Sequence, residues 1–144
     1  MSTSGWKNED KVLYAGSGKT GTNTTPIFSN VFNIETDITY IPTTIVFNLL
    51  VKETSGTGGC DVSILSSSNG SNYGDIYVPN LSSLYKVTLA NADILTSTGF
   101  PFTIQVPTIA KYFKVKFQGE LDADVFTFQA AVVGIHIQQG TIYS

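Results

Sequence analysis

The chain has 144 residues, 42% apolar and 13% charged, with a formal charge of −3 at neutral pH. That length suits one domain with a substantial core, and the charged fraction is about half the ~25% of an average soluble protein. All eight basic residues are lysine, so the bidentate guanidinium clamp on phosphate is missing; with no basic cluster either, nucleic acid is not expected as a partner.

Residues 1–25 are rich in Ser, Thr, Gly and Asn, with Trp6 and Val12-Leu13-Tyr14 as their apolar anchors. Two readings stand side by side: an arm that docks on a neighbour, or a first strand of the domain formed by residues 26–144. The opening MSTSGWKNEDK has neither the basic nor the apolar region of a signal peptide. No apolar run approaches the ~20 residues that span a bilayer, so a soluble chain without a membrane partner is expected.

Within this segment AGSGKT, residues 15–20, looks like a phosphate-binding loop. Such a loop needs G-x-x-x-x-G-K-[ST], with a helix behind it that aims its N–H groups at the phosphates. Leu13 stands where the first glycine belongs, and GTNTTP is a poor helix start. No nucleotide site is expected; Gly16, Gly18 and Lys19 read as a flexible turn.

Beyond the arm the dominant period is two, the mark of strands with one face buried. A short strand is expected at Val31–Tyr40. Thr44–Lys52 follows, with Ile45, Phe47, Leu49 and Val51 facing one way. Further short strands are expected at Cys60–Leu65, Gly74–Val78, Leu84–Leu89 and Phe102–Val106, and Asn91–Leu95 has room for one helical turn. Lys111–Gln118 puts Phe113, Val115 and Phe117 on one face and Lys114 and Lys116 on the other. Val125–Ile137 carries Phe126, Phe128, Ala130 and Val132 in one register, then Ile135 and Ile137 in the opposite one, with Gly134 at the change. A β-bulge there returns both sets to one core, because an extra residue flips every side chain after it. The breakers between strands include GTGG at 56–59, GELDAD at 119–124 and Asn69-Gly70, a dipeptide suited to positive φ. Seven to nine short strands with this punctuation predict an all-β chain: a single antiparallel β-sandwich, jelly-roll-like.

Sites for chemistry are scarce. Cys60 is the only cysteine, which excludes a disulfide framework and a cysteine-based zinc cage, and it reads as a small buried apolar residue. His136 is the only histidine, so no histidine metal triad forms and a Cys60–His136 nucleophile pair lacks an orienting group. Glu120, Asp122 and Asp124 could offer oxygens to calcium, though such a turn is more often solvated. Trp6, Tyr73, Tyr77 and Tyr85 could make a sugar platform, with Asn69, Asn72 and Asp75 taking hydroxyls; the alternative is ordinary cross-strand aromatic packing. No catalytic residue, metal or cofactor is expected.

From Ile45 to Gly134 the chain resembles the small stand-alone β-sandwich virion proteins of tailed bacteriophages. The matching residues are Ser67, Asn69, Gly70 and Tyr73 in a "strand, S-x-[DN]-G-x-x-[WY]" hairpin, then Pro107, Ala110, Lys111, Tyr112, Lys114 and Val115 before a final apolar strand. The chain departs from that pattern in using lysine where arginine often stands and Tyr73 where tryptophan is common. The resemblance implies a non-enzymatic head-decoration or auxiliary capsid protein that stabilises an assembled shell, located in the virion after assembly in the host cytoplasm. The implied partner is the major capsid protein or another virion protein, with self-association left open. A carbohydrate-binding module or a receptor-binding tail or fibre component is the alternative. The contacts expected on this reading are Trp6, Val12, Leu13 and Tyr14 from the arm and Asn69, Asn72 and Tyr73 from the hairpin loop.

Overall fold

In the computed structural model, the structure describes residues 5–19, 26–38, 40–75, 86–121 and 124–142. Ten strands and one helical turn follow along them: β1 (Gly5–Lys19), β2 (Ile27–Phe28), β3 (Phe32–Asn33), β4 (Tyr40–Ser55), β5 (Cys60–Ser67), β6 (Gly74–Asp75), β7 (Lys86–Leu89), α1 (Asn91–Ile94), β8 (Phe100–Pro107), β9 (Tyr112–Gly119) and β10 (Val125–Ile142). One sheet has the order β1-β10-β4-β8. The other runs β2-β9-β5-β6, with β3 also on β9 and β7 also on β5. Every pairing is antiparallel.

Two of the strand positions are split. Between β2 and β3, Ser29 bridges the break: its N–H donates to the Val115 carbonyl and its Oγ accepts from the Val115 N–H, each at 2.8 Å. On the far edge of β5, β6 pairs with Leu65–Ser66 and β7 with Cys60–Ser63. With β2 joined to β3 and β6 joined to β7, every connection but the β5–β6 hairpin passes from one sheet to the other. That is a jelly roll, the double-sheet arrangement that leaves few exposed edges.

The core lies between the sheets. Phe117 of β9 stacks on Phe128 of β10 with centroids 4.3 Å apart, and Phe47 of β4 meets Phe113 of β9 at 6.3 Å. The alternation read in β4 and β9 sets these contacts: Ile45, Phe47, Leu49, Val51, Phe113, Val115 and Phe117 are all buried. In β10 the ladder slips between Val132, opposite Phe47, and Gly134, opposite Val46. Val133 is the extra residue, and Val132 and Ile135 are both fully buried in consequence.

Of the two readings of the N-terminal segment, residues 5–19 take the second, a first strand, at the edge of the four-stranded sheet. Two expectations need correction. Gly16 and Lys19 pair with Phe128 and Phe126 as strand rather than turn; Thr20 lies outside the described residues. Val31–Tyr40 is not one strand: its described residues pair at Phe32–Asn33 and again at Tyr40, where β4 begins, because Asp37 Oδ2 accepts from the Asn33 N–H at 2.8 Å and folds the chain into a turn between them.

Candidate functional site: two outer surfaces and a buried carboxyl pair

The residues expected to grip a partner divide according to the pleat of β1. Trp6 and Val12 are each 58% exposed. Leu13 is fully buried, committed to this chain's own core, and cannot serve as an anchor on another protein. Tyr14 is half-buried and packs on Phe117 with centroids 6.1 Å apart. Successive residues point inward because the β1–β10 register slips between Val12 and Tyr14. Trp6 stands edge-on to His136, centroids 4.9 Å apart, and His136 Nδ1 lies 3.0 Å from Thr43 Oγ1. The histidine is thus held by a tryptophan and a threonine, a structural role.

Val12 opens onto the outer face of the four-stranded sheet. Across the strands one row reads Val12, Ala131, Asn48, Thr103, and the next Ala15, Gln129, Leu50, Pro101. No charged side chain occurs in either row. A shallow groove of ≈ 380 Å³ runs along them. The β10–β4–β8 part of this face was legible in the alternation of the strands; that β1 extends it was not, because period alone does not reveal which strand a segment joins.

On the other sheet, Asn69 and Tyr73 sit in the loop between β5 and β6. Asn69 is consumed internally: its Oδ1 accepts from the N–H groups of Ser71 (2.8 Å) and Asn72 (3.0 Å), while Ser67 Oγ accepts from the N–H groups of Asn69 (3.2 Å) and Gly70 (2.9 Å). Gly70 has φ +78° and lies against the Tyr112 ring, a position where a side chain is disfavoured. Asn72 is exposed. Lys114 Nζ stands 4.1 Å from the Tyr73 ring centre and 4.4 Å from that of Phe28, a cation held between two rings. The Tyr73 hydroxyl is buried without a partner, and burial, with Tyr112 adding to it, raises its pKa. One ring face of Tyr73 is therefore occupied by an ammonium group. Tyr77 and Tyr85 lie outside the described residues.

Cys60 is buried, and burial pushes its thiol up to about 12, so it is a protonated core residue. A feature the sequence reading missed is Glu53. It continues the inward register of Ile45, Phe47, Leu49 and Val51, which was its only signal, and it is 1% exposed. It meets Asp124, also 1% exposed. Burial, then the neighbouring Asp124 carboxyl, pushes Glu53 up to about 7, against a lowering by the Asn91 amide. Asp124 is gripped by the GTGG turn, its Oδ1 accepting from the Thr57 N–H (3.2 Å) and its Oδ2 from the Gly58 N–H (3.0 Å). Glu120, read as a companion of Asp124 in GELDAD, is exposed and accepts instead from the Gly59 N–H at 2.8 Å; Asp122 lies outside the described residues.

Fold and surfaces together define an antiparallel β-sandwich domain of jelly-roll topology. Comparison with models of known protein families gives no match, and comparison with curated proteins gives none. Among solved structures the chain is similar to a protein of the disulfide-linked pili of Bacillus endospore appendages, at 11% identity and a TM-score of 0.46, covering 94% of this chain and 92% of that one. It is also similar to the CBM22-1–GH10 modules of Clostridium thermocellum xylanase 10B (16% identity, TM-score 0.41, 97% of this chain and 27% of that one). A third is the CBM22-1 xylan-binding domain of Paenibacillus barcinonensis Xyn10C (9% identity, TM-score 0.39, 90% and 86%). The likeness is confined to β-sandwich architecture.

Proposed function

We propose that this chain is a non-enzymatic structural protein of a phage virion, a head-decoration or auxiliary protein that binds an assembled shell through the outer face of its four-stranded sheet. The observation that carries the reading is the pair of uncharged rows from Val12 to Thr103 and from Ala15 to Pro101, ending at exposed Val12. Depletion of charge marks the centre of an interface, and Lys52, opposite Thr127, lies in the next outward row at its margin. A partner of this kind is the major capsid protein or another virion protein. Binding would act by linkage: a protein that holds the assembled state and not the free subunits stabilises assembly by mass action.

The test is sedimentation of the purified chain with shells of the virus that encodes it. Ala131→Glu and Asn48→Glu place a charge at the centre of the face without touching the core, and each is expected to abolish co-sedimentation while leaving the melting midpoint unchanged. Wild-type occupancy by both variants refutes this surface. Removing residues 1–20 is not a clean test, since it also takes Leu13 out of the core. Glycan binding lost in Tyr73→Ala would turn the reading to a carbohydrate module.

A further inference from the structure

Oxygens from four separate segments converge at the end of the core beside α1. Glu53 comes from β4, the carbonyls of Gly56 and Gly58 from the GTGG turn, Asn91 from the first residue of α1, and Asp124 from the entry to β10. The Asn91 side-chain Nδ2 donates to Glu53 Oε1 and lies 3.3 Å from the Gly56 carbonyl and 3.1 Å from that of Gly58. Three acceptors crowd an amide with two protons to give.

The independent observation is Glu53 Oε2. It is buried in a residue 1% exposed and accepts no hydrogen bond, while the carboxyl group that carries it neighbours that of Asp124. A buried carboxylate oxygen without a donor is costly, and a second carboxylate beside it adds repulsion. One divalent cation between them offsets both.

We propose that this cluster is a calcium site. Glu53 and Asp124 supply the charge, the Gly56 and Gly58 carbonyls supply neutral oxygens, and Asn91 turns its amide so that Oδ1 takes the place of Nδ2. Which end of an amide faces its partners follows from the partners present. With Glu53 bidentate, these groups reach the lower end of the about six to eight oxygens that Ca²⁺ accepts. Among the described residues no group of three or more His, Cys, Asp or Glu side chains is placed to hold a metal. The donors here are instead two carboxylates completed by an amide and main-chain carbonyls. That all-oxygen set disfavours zinc, which takes nitrogen and sulfur readily, and its buried irregular shape disfavours magnesium, which keeps several waters. Gly56, at φ +129°, and Gly58 let the turn close on the Asp124 carboxylate; a Cβ at either would collide with it. The site ties β4, α1 and β10 together and does not depend on the shell-binding reading.

The test uses the full chain, stripped with a chelator that is then dialysed away, in calorimetric titration with CaCl₂ and in thermal melts. The expected result is one Ca²⁺ per chain, a melting midpoint raised by several degrees, and Mg²⁺ binding at least tenfold weaker. Glu53→Gln keeps the shape and removes the charge, and it lowers Ca²⁺ affinity at least tenfold; Glu120→Gln keeps wild-type affinity. Absence of both heat and midpoint shift in the wild type at ~10 mM Ca²⁺, above the ~0.1–1 mM range of weak modules, overturns the proposal. So does equal affinity in wild type and Glu53→Gln, which assigns the ion to surface carboxylates. The wild-type arm decides without any variant, and Asp124→Asn replaces Glu53→Gln if the latter fails to fold.

Discussion

Leu13→Ala tests whether the N-terminal segment is part of the domain. Leu13 is fully buried between the sheets, and its neighbour Val12 is 58% exposed on the same strand. Truncating a fully buried leucine removes its transfer free energy and leaves a cavity, about 3–5 kcal/mol together. Truncating the exposed valine costs within about 0.5 kcal/mol. Urea unfolding followed by fluorescence of Trp6, the only tryptophan, reports on β1 itself; circular dichroism in the same titration reports on the rest of the sandwich. With m near ~2 kcal/mol/M for a chain of this size, Leu13→Ala lowers the midpoint by about 1.5–2.5 M and Val12→Ala leaves it in place. Both probes move together if β1 is a strand of the cooperative unit. A Leu13→Ala protein whose fluorescence transition shifts while its circular dichroism transition stays at the wild-type midpoint would show an arm that detaches by itself, and would refute the reasoning.

Three further outcomes are expected. Phe117→Ala removes the ring that stacks on Phe128 and supports Tyr14, and it costs about 3–5 kcal/mol in the same urea titration, whereas Phe28→Ala at the surface costs far less. In chelator-treated protein the raised Glu53 pKa means that the native state holds its proton longer than the unfolded state. The Glu53 contribution to stability is therefore full below pH ~4.5 and is lost, by up to about 3 kcal/mol, as pH rises through about 7; Glu53→Gln flattens that part of the profile, and an unchanged slope in the variant would place the titration elsewhere. Cys60, buried and pushed up to about 12, resists a thiol reagent in the native protein at pH 8 and reacts within the urea transition; prompt native labelling would contradict its burial.

Much of the sandwich was legible before any coordinates, because a strand with one buried face writes its facing into a period of two. The inward rows of β4 and β9 follow from Ile45-Phe47-Leu49-Val51 and Phe113-Val115-Phe117, and the reversal of register near Gly134 required the bulge found at Val133. Three decisions belonged to the tertiary structure. Whether residues 5–19 formed a strand depended on β10 offering an edge, since their own apolar content is too sparse to order them. The Asp37 hydrogen bond to the Asn33 N–H made a turn where the period suggested a strand. Glu53, Asn91 and Asp124 stand far apart in sequence and carry no spacing motif; only the jelly-roll crossings bring them to one end of the core. Local facing is set by neighbouring residues along the chain, whereas the partners of a strand edge or of a buried carboxylate are set by segments that the chain brings back from far away.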